Sequence, residues 1–311
     1  MISKPTVFIL GAGASTPYNF PAGIGLSTGI CQNVSNGIFL QGIAQHANKE
    51  WEDDARQLAN NLSGAKISID TWLSFRTKHE KDIGKYLIAR EIIQHEIQEN
   101  FDDAFNKKED WYADLWATLL PSGTKTLQGF CENAPVTFIT FNYDRSLEQA
   151  LITTVQNTFR DSIEVCGEAL LKYFPIIHVH GQLGRLGWQT NLAELSVRDY
   201  ESTCDLKTVF ASASHIRIMG EDDGTEGPYH EARTHLAKAE RIHFLGFGYH
   251  DENLRRLKIN SLQPKATISG TWKGLGKGRK EELQSKSNAF GWPINMEHHY
   301  PDVVEYFRNV V

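Results

Sequence analysis

The chain has 311 residues, of which 41% are hydrophobic and 23% are charged, and its formal net charge is −6. This is an ordinary globular composition, long enough for one large domain with an insertion or for two modest domains. Proteins that bind nucleic acid by neutralising its phosphates are usually basic, whereas this chain is acidic. We therefore expect no direct contact with nucleic acid. No apolar stretch approaches the length of a membrane helix, and the apolar run after Lys4 is too short for a signal peptide. The sequence therefore predicts a cytoplasmic protein with no membrane contact.

The four cysteines, Cys31, Cys131, Cys166 and Cys204, lie far apart along the chain. No two of them form a C-x-x-C pair, which argues against a four-cysteine zinc site. We interpret them as small buried hydrophobic residues of a reducing compartment, and we expect no metal.

The first predicted element is a strand. Residues Thr6–Leu10 form a continuous apolar run that ends at Gly11 and Gly13, which indicates a buried parallel strand. Glycines directly after such a strand allow backbone amides to approach a phosphate. The sequence therefore predicts a nucleotide pocket at the carboxyl end of this strand.

Helical patterns follow. A short helix is predicted from Leu26 to about Val34, and helical spacing then dominates residues 39–129. Within that stretch Asp70 is predicted to cap a helix, and the apolar residues between Ile83 and Ile97 have amphipathic spacing. We predict that residues 39–129 are a helical insertion within a single domain of residues 1–311. A layer that covers the site or forms an oligomer interface is the simplest interpretation of it.

Strands alternate with helices in the second half of the chain. The predicted strands are Pro135–Phe141, Phe174–His180, His215–Met219, Arg241–Gly248, Ala266–Gly270 and Ile294–His298. The predicted helices are Ser146 to about Val155, Tyr229–Glu240, Asp251–Lys258 and Pro301–Val310. This alternation predicts an α/β fold, a doubly wound Rossmann-like parallel sheet with a helical insertion.

Polar or glycine-rich clusters follow the predicted strands at four places. They are Gly11-Ala12-Gly13-Ala14-Ser15, Asn142-Tyr143-Asp144, His180-Gly181 and Gly246-Phe247-Gly248. Ligands of an open parallel sheet bind beyond the carboxyl ends of its strands. Four such clusters at the carboxyl ends of predicted strands therefore indicate a single pocket.

A hydride-transferring dehydrogenase fits this pocket poorly. The dinucleotide fingerprint requires a third glycine, and Thr16 occupies that position. It also requires an acidic residue about twenty positions further on, and the sequence has none there.

The three ordered motifs of residues 11–15, 140–144 and 180–181 resemble those of the sirtuin or SIR2-like family. That family has a Gly-Ala-Gly-x-Ser loop, a Thr-x-Asn-x-Asp motif and a catalytic His-Gly pair. The loop at Gly246 and Gly248 falls where the family has a later nucleotide loop. The resemblance covers about residues 6–21 and 136–257 and leaves out the helical insertion.

The resemblance implies roles for the matching residues, with NAD as the substrate. Asn142 would hold the nicotinamide ribose or the attacking water, Asp144 the nicotinamide carboxamide, and His180 would act as general base. A neutral imidazole near pH 7 suits that task, because it can accept a proton from a ribose hydroxyl or from water. The NAD-binding residues implied are Gly11, Ala12, Gly13, Ser15, Thr16, Gly246 and Gly248.

Simpler interpretations compete with these roles. Asn142 and Asp144 are also typical of an Asx turn and a helix N-cap, which on those residues alone is the favoured interpretation. His180 alone fits a core histidine, and its strand neighbour His178 is expected to face the same side. Gly181 and the family resemblance favour His180 over His178.

The sequence also departs from the sirtuins. Protein deacylases of that family have a zinc module with two C-x-x-C pairs, which this chain lacks. The resemblance is closer to the zinc-free branch of bacterial anti-phage systems, which consists largely of NAD glycohydrolases that commonly oligomerise. It implies an NAD+ glycohydrolase that depletes NAD, as a homo-oligomer or with a defence-system partner protein. The alternatives are an NAD-dependent protein deacylase and a non-catalytic sensor of NAD or ADP-ribose.

Overall fold

The computed structural model describes residues 2–47, 49–120, 123–132, 134–203, 205–221, 226–259, 266–289, 294–295 and 302–311. The strands in these ranges are β1 (Thr6–Leu10), β2 (Val136–Thr140), β3 (Ile176–His178), β4 (Arg241–Leu245), β5 (Thr267–Gly270) and β6 (Ile294–Asn295). They form one parallel sheet in the order β3-β2-β1-β4-β5-β6. The predicted α/β fold with a parallel, doubly wound sheet is confirmed.

Most of the described residues between β1 and β2 are helical. Their helices are α1 (Ile24–Ser35), α2 (Ile43–His46), α3 (Lys49–Ala65), α4 (Ile69–Leu73), α5 (Lys78–Ile93), α6 (Glu99–Asn106), α7 (Trp111–Leu119) and α8 (Leu127–Cys131). The later helices are α9 (Ser146–Phe159), α10 (Ile163–Tyr173), α11 (Leu206–Ser214), α12 (Pro228–Leu236), α13 (Asp251–Leu257), α14 (Lys277–Ala289) and α15 (Val303–Val310). The domain boundaries themselves stay a prediction.

Strand β1 lies at the centre of the sheet and is buried along its whole length. Side chains alternate between the two faces of a strand. Phe8 and Leu10 accordingly pack into one hydrophobic cluster with helices from the β1–β2 segment, whereas Val7 and Ile9 pack into a second cluster with α12, α13 and α14. The sheet therefore has helices on both faces. Its strand order reverses between β1 and β4, the position at which such sheets bind ligands.

Two local predictions were wrong. The segment at His215–Met219 is not a strand, because Ile216 N continues the turn that ends α11 and donates to Ala213 O. Ile216 and Ile218 are nevertheless both buried, because the segment packs along the loop after β3. Arg217 N, between them, donates to His180 O at 2.9 Å. The cap of α4 is Ser68 rather than Asp70, since Ser68 Oγ accepts the hydrogen bond from Thr71 N.

Some predictions fall outside the described residues. The last predicted strand is present at Ile294–Asn295, and residues 296–298 lie beyond the described part of the chain, as does Cys204. Cys131 and Cys166 are buried and Cys31 is half-buried, all three as free thiols. None of the helices in the described residues combines the length and the hydropathy that a membrane crossing requires.

Candidate functional site

A cavity of about 1120 Å³ opens at the carboxyl ends of β1, β2 and β4. It includes the turn after β1, the N-terminus of α1, the loop after β2, His180 and the loop after β4. The predicted site residues that line it are Gly11, Ala12, Gly13, Thr16, Asn142, Asp144, His180, Gly246 and Gly248. The structure therefore brings all four predicted clusters to one cavity.

Ser15 lies behind this lining, where it joins the first two motifs. Its hydroxyl donates to Asp144 Oδ2 at 2.9 Å and accepts from Asn142 Nδ2 at 3.0 Å. Asn142 Nδ2 also donates to Gly11 O at 3.1 Å. Ser15 is 2% exposed, so its contribution to the site is to hold Asn142 and Asp144 rather than to meet solvent.

Asn142 lines the cavity, and hydrogen bonds to one end of its side-chain amide fix the orientation of that amide. Both donor contacts use Nδ2, and no donor among the described residues reaches the buried Oδ1. A buried acceptor without a donor is costly. The contact of Asn142 with a ligand stays a prediction.

Asp144 serves the local structure as well as the cavity. Its Oδ1 accepts hydrogen bonds from the backbone and the hydroxyl of Ser146, the first residue of α9. This is the Asx turn that the sequence indicated, whereas the N-cap position of α9 is Arg145, and the contact of Asp144 with a ligand stays a prediction. Burial raises the pKa of Asp144, and the hydrogen bonds from Ser146 and Ser15 oppose that increase.

The glycines of the first and last motifs pack against each other. Gly13 N donates to Gly246 O at 3.0 Å, and Gly246 has a φ of +58°. A Cβ at Gly246 would lie 2.1 Å from Ala14 N, and a Cβ at Gly11 would lie 2.6 Å from Gly246 O. Close backbone packing therefore requires these glycines whatever ligand binds.

The turn after β1 differs from a simple phosphate-binding loop. It forms 3-10 turns at Ala12–Ala14 and Thr16–Tyr18, and α1 begins only at Ile24. The amides of Gly11, Gly13, Ala14 and Ser15 all donate to backbone carbonyls. Their hydrogen bonds shape the wall of the cavity, and the implied contact with pyrophosphate stays a prediction.

His180 lies at the aromatic side of the cavity. Its Nε2 is 3.0 Å from Tyr229 Oη, and the side chain is 6% exposed. The rings of Phe141 and Tyr143 lie 5.4 Å and 6.4 Å from the imidazole. Tyr229 therefore fixes the orientation of the histidine, and the neighbouring rings form a surface suited to a planar heterocycle.

His178 has a different environment, although it is only two residues away. It is the last residue of β3, and its ring nitrogens lie 2.9 Å from Asn142 O and 2.6 Å from Glu148 Oε1. Burial lowers the pKa of His178, but the Glu148 carboxylate outweighs this and the pKa is raised. Because the strand ends at His178, strict alternation does not extend to His180, and only His180 lines the cavity.

The helices between β1 and β2 also hold the site together. Trp111 Nε1 donates to Ala14 O at 2.8 Å, and the hydroxyls of Tyr112 and Ser146 lie 2.7 Å apart. Tyr143 Oη donates to Asp70 at 2.6 Å. The helical segment therefore forms part of the cavity wall and supports the first two motifs.

A buried ion cluster anchors the loop after β2. The Arg145 guanidinium donates to both oxygens of Glu96, and Arg198 contacts the same carboxylate. Arg145 also donates to the carbonyls of Arg198 and Asp199. Three distant segments therefore meet directly beside Asp144.

Across the described part of the chain, no three His, Cys, Asp or Glu side chains are arranged to hold a metal ion.

Comparison with known protein families gives one match. Residues 136–267 match the model of the SIR2-like domain. This match supports the SIR2-like family. Its members are generally NAD-utilising enzymes. The matched segment contains β2 to β5, and therefore Asn142, Asp144, His180 and Gly246, but not the turn after β1. No curated protein matches the chain.

Several residues at or near the cavity carry no sequence signal that would have revealed them. Tyr229 is 49 residues from His180, and Trp111 is 97 residues from Ala14. Ser68, Asp70 and Asn253 also line the cavity, although none belongs to a motif. Only Asn253 lies close behind a predicted strand end.

Proposed function

We propose that this protein is an NAD+ glycohydrolase that cleaves the nicotinamide–ribose bond and releases nicotinamide and ADP-ribose. One observation carries the proposal: His180 and Asn142 line the same cavity at the switch point of a parallel sheet. The match to the SIR2-like domain, whose family uses NAD, supports the choice of substrate.

Bond cleavage creates an oxocarbenium-like centre on the ribose, and water must then attack it. In this proposal His180 accepts the proton of a ribose hydroxyl or of that water, and the contact with Tyr229 supports it because it holds the ring in position. Asn142 Oδ1 accepts a hydrogen bond from the ribose or the water, because Ser15 and Gly11 hold the Nδ2 end of the same amide. The rings of Phe141 and Tyr143 contact the departing nicotinamide.

We further propose that this hydrolysis depletes NAD in bacterial anti-phage defence, with activity that depends on a homo-oligomer or on a partner protein. This part rests on the resemblance to the zinc-free branch of the family. Light scattering tests the oligomer, and a monomer at every concentration contradicts it.

The test of the activity is chromatography of NAD+ incubated with the purified full chain. The proposal predicts equal amounts of nicotinamide and ADP-ribose without any added peptide. Release of nicotinamide only when an acylated peptide is present would instead identify a deacylase. Tight NAD binding without turnover would identify a sensor.

A further inference from the structure

His178 does not line the cavity, yet it is bonded to the backbone of a residue that does. Its Nδ1 lies 2.9 Å from Asn142 O, and its Nε2 lies 2.6 Å from Glu148 Oε1. The side chains of His178 and Glu148 are 5% and 1% exposed. This buried pair therefore links the end of β3 and helix α9 to the loop after β2.

The two partners of His178 determine how many protons the pair holds. A backbone carbonyl can only accept a hydrogen bond, so Nδ1 must carry a proton. The short contact between Nε2 and the Glu148 carboxylate requires a second proton, because two acceptors without a proton between them repel each other. Removing one proton from the pair therefore removes one of its two hydrogen bonds.

The backbone carbonyl of Asn142 depends on this contact. No backbone N–H within the described ranges donates to Asn142 O. The backbone N of Asn142 donates to Thr140 Oγ1 at 3.0 Å, and its side chain bonds to Gly11 and Ser15. The bond from His178 therefore fixes the backbone of Asn142, whereas Gly11 and Ser15 fix its amide.

Ionisable groups from three elements surround the pair. Glu148 lies on α9, Asp144 lies in the loop after β2, and Tyr112 lies on α7 close to both carboxylates. Burial lowers the pKa of His178, but the charges of Glu148 and Asp144 and the two hydrogen bonds outweigh this, and the pKa is raised. Burial raises the pKa of Tyr112 well above its usual value, so its hydroxyl stays neutral near pH 7. His178 therefore keeps its positive charge at pH values at which an exposed histidine is neutral.

We propose that His178 is a positioning residue: its imidazolium, paired with Glu148, donates to Asn142 O and holds Asn142 in place for the substrate. This inference rests on the proposed function, since NAD+ is the substrate whose turnover reports the position of Asn142. It gives the first histidine of His178-Val179-His180 a part in the reaction without contact with the substrate.

The protonation of the pair should set an alkaline limit for turnover. His180 must be neutral to act as a general base, so its protonation reduces kcat at low pH. Loss of a proton from the pair removes a hydrogen bond beside Asn142 and reduces kcat at high pH. We therefore expect a bell-shaped dependence of kcat on pH, with the alkaline side caused by the pair.

Glu148→Gln separates this role from general structural support. A glutamine amide can donate to Nε2 while a neutral His178 still donates from Nδ1 to Asn142 O, so both hydrogen bonds form without the titrating proton. The kcat near pH 7 should stay close to that of the wild type, and its fall at high pH should disappear. His178→Phe offers no donor to Asn142 O, and its kcat near pH 7 should be about tenfold lower, the value of one hydrogen bond.

His243→Asn is the matched control. His243 is also buried in the sheet, contacts Tyr306 and Ser269, and does not line the cavity. This variant should keep the fall in kcat at high pH. Thermal melting at each pH shows that every protein compared is folded over the range measured.

Nuclear magnetic resonance of protein labelled with 15N-histidine measures the protonation of His178 directly, and the signal missing from His178→Phe identifies it. Both ring nitrogens of His178 should carry protons at pH 7. A singly protonated His178 at pH 7, or a fall in kcat at high pH that persists in Glu148→Gln, would overturn the inference and leave the proposed function standing. A wild type that leaves NAD+ intact at every pH would overturn both.

Discussion

The side-chain amide of Asn142 donates to the hydroxyl of Ser15 at 3.0 Å, across 127 residues of sequence. This bond joins the turn after β1 to the loop after β2, and the Ser15 hydroxyl in turn donates a hydrogen bond to Asp144 Oδ2. The same bond fixes the side-chain amide of Asn142, which lines the cavity. The orientation of the amide, and with it the proposed chemistry, therefore depends on a serine that does not line the cavity.

Ser15→Ala should reduce both stability and activity. It removes one donor to the buried Asp144 carboxylate and the acceptor that orients Asn142, a loss of about 1–3 kcal/mol in the free energy of unfolding. Urea unfolding and NAD+ turnover measure the two effects. The control is Ser214→Ala, because the Ser214 hydroxyl bonds within its own helix on an exposed face. Equal behaviour of the two variants would contradict the role of Ser15.

Gly246→Ala should destabilise the fold severely. Its positive φ and the 2.1 Å approach of a Cβ to Ala14 N force the two glycine turns apart, at a cost of about 3 kcal/mol. Gly64→Ala, in an exposed part of α3 with open space around a Cβ, should change stability by no more than about 1 kcal/mol and in the favourable direction. Thermal melting of both variants checks the prediction, and a Gly246→Ala protein as stable as Gly64→Ala would refute the packing argument.

Trp111→Phe tests whether α7 supports the site. The change keeps an aromatic ring but removes the hydrogen bond to Ala14 O, so the turn that contains Ser15 loses a fixed point. We expect a lower kcat for NAD+ with a smaller change in KM, because Trp111 does not line the cavity. Trp116→Phe, on the same helix and packed against Phe130, should retain wild-type kinetics. If Trp111→Phe also retains wild-type kinetics, the hydrogen bond from α7 to Ala14 O is dispensable for the site.

His243 should make the fold sensitive to acid. Burial lowers its pKa to about 4, with the charge of Arg241 as a smaller cause. Above pH 6.5 the imidazole is neutral in both the folded and the unfolded chain. Below pH 6.5 the imidazole takes up a proton in the unfolded chain, whereas in the folded chain it stays neutral until about pH 4. The free energy of unfolding therefore falls as the pH falls from 6.5 to about 4.

The loss amounts to about 3 kcal/mol for the full shift. Urea unfolding of wild type and His243→Asn between pH 7 and pH 4 measures it. The variant loses the contacts of His243 with Tyr306 and Ser269, so it should be less stable at pH 7 and should then lose less stability on acidification. Parallel pH profiles would show that another group is responsible.

The sequence predicted the sheet well because a parallel strand that is buried on both faces consists of consecutive apolar residues, as in Thr6–Leu10. It failed at His215–Met219, where buried Ile216 and Ile218 alternate with more exposed residues because the segment packs along a loop. The ends of the strands also identified the cavity, since parallel strands bring their carboxyl ends to one edge.

The contacts that hold the site were beyond sequence reasoning. Trp111, Tyr229 and Ser15 each bond to a residue far away along the chain, and no local pattern specifies such a partner. The glycines illustrate a second limit. The sequence predicts that they contact a phosphate. The structure shows in addition that Gly13 and Gly246 allow the backbone after β1 to pack directly against the backbone after β4.

The central claim is that His180 acts on NAD+ in this cavity, and the rate of nicotinamide release by wild type and His180→Ala tests it most directly. The wild type should convert NAD+ to nicotinamide and ADP-ribose. A correctly folded His180→Ala protein, matched by thermal melting, should be slower by a factor of roughly 10²–10⁴, as expected for the loss of a general base. Intact NAD+ in the wild-type reaction, or an unchanged rate in His180→Ala, would contradict the account.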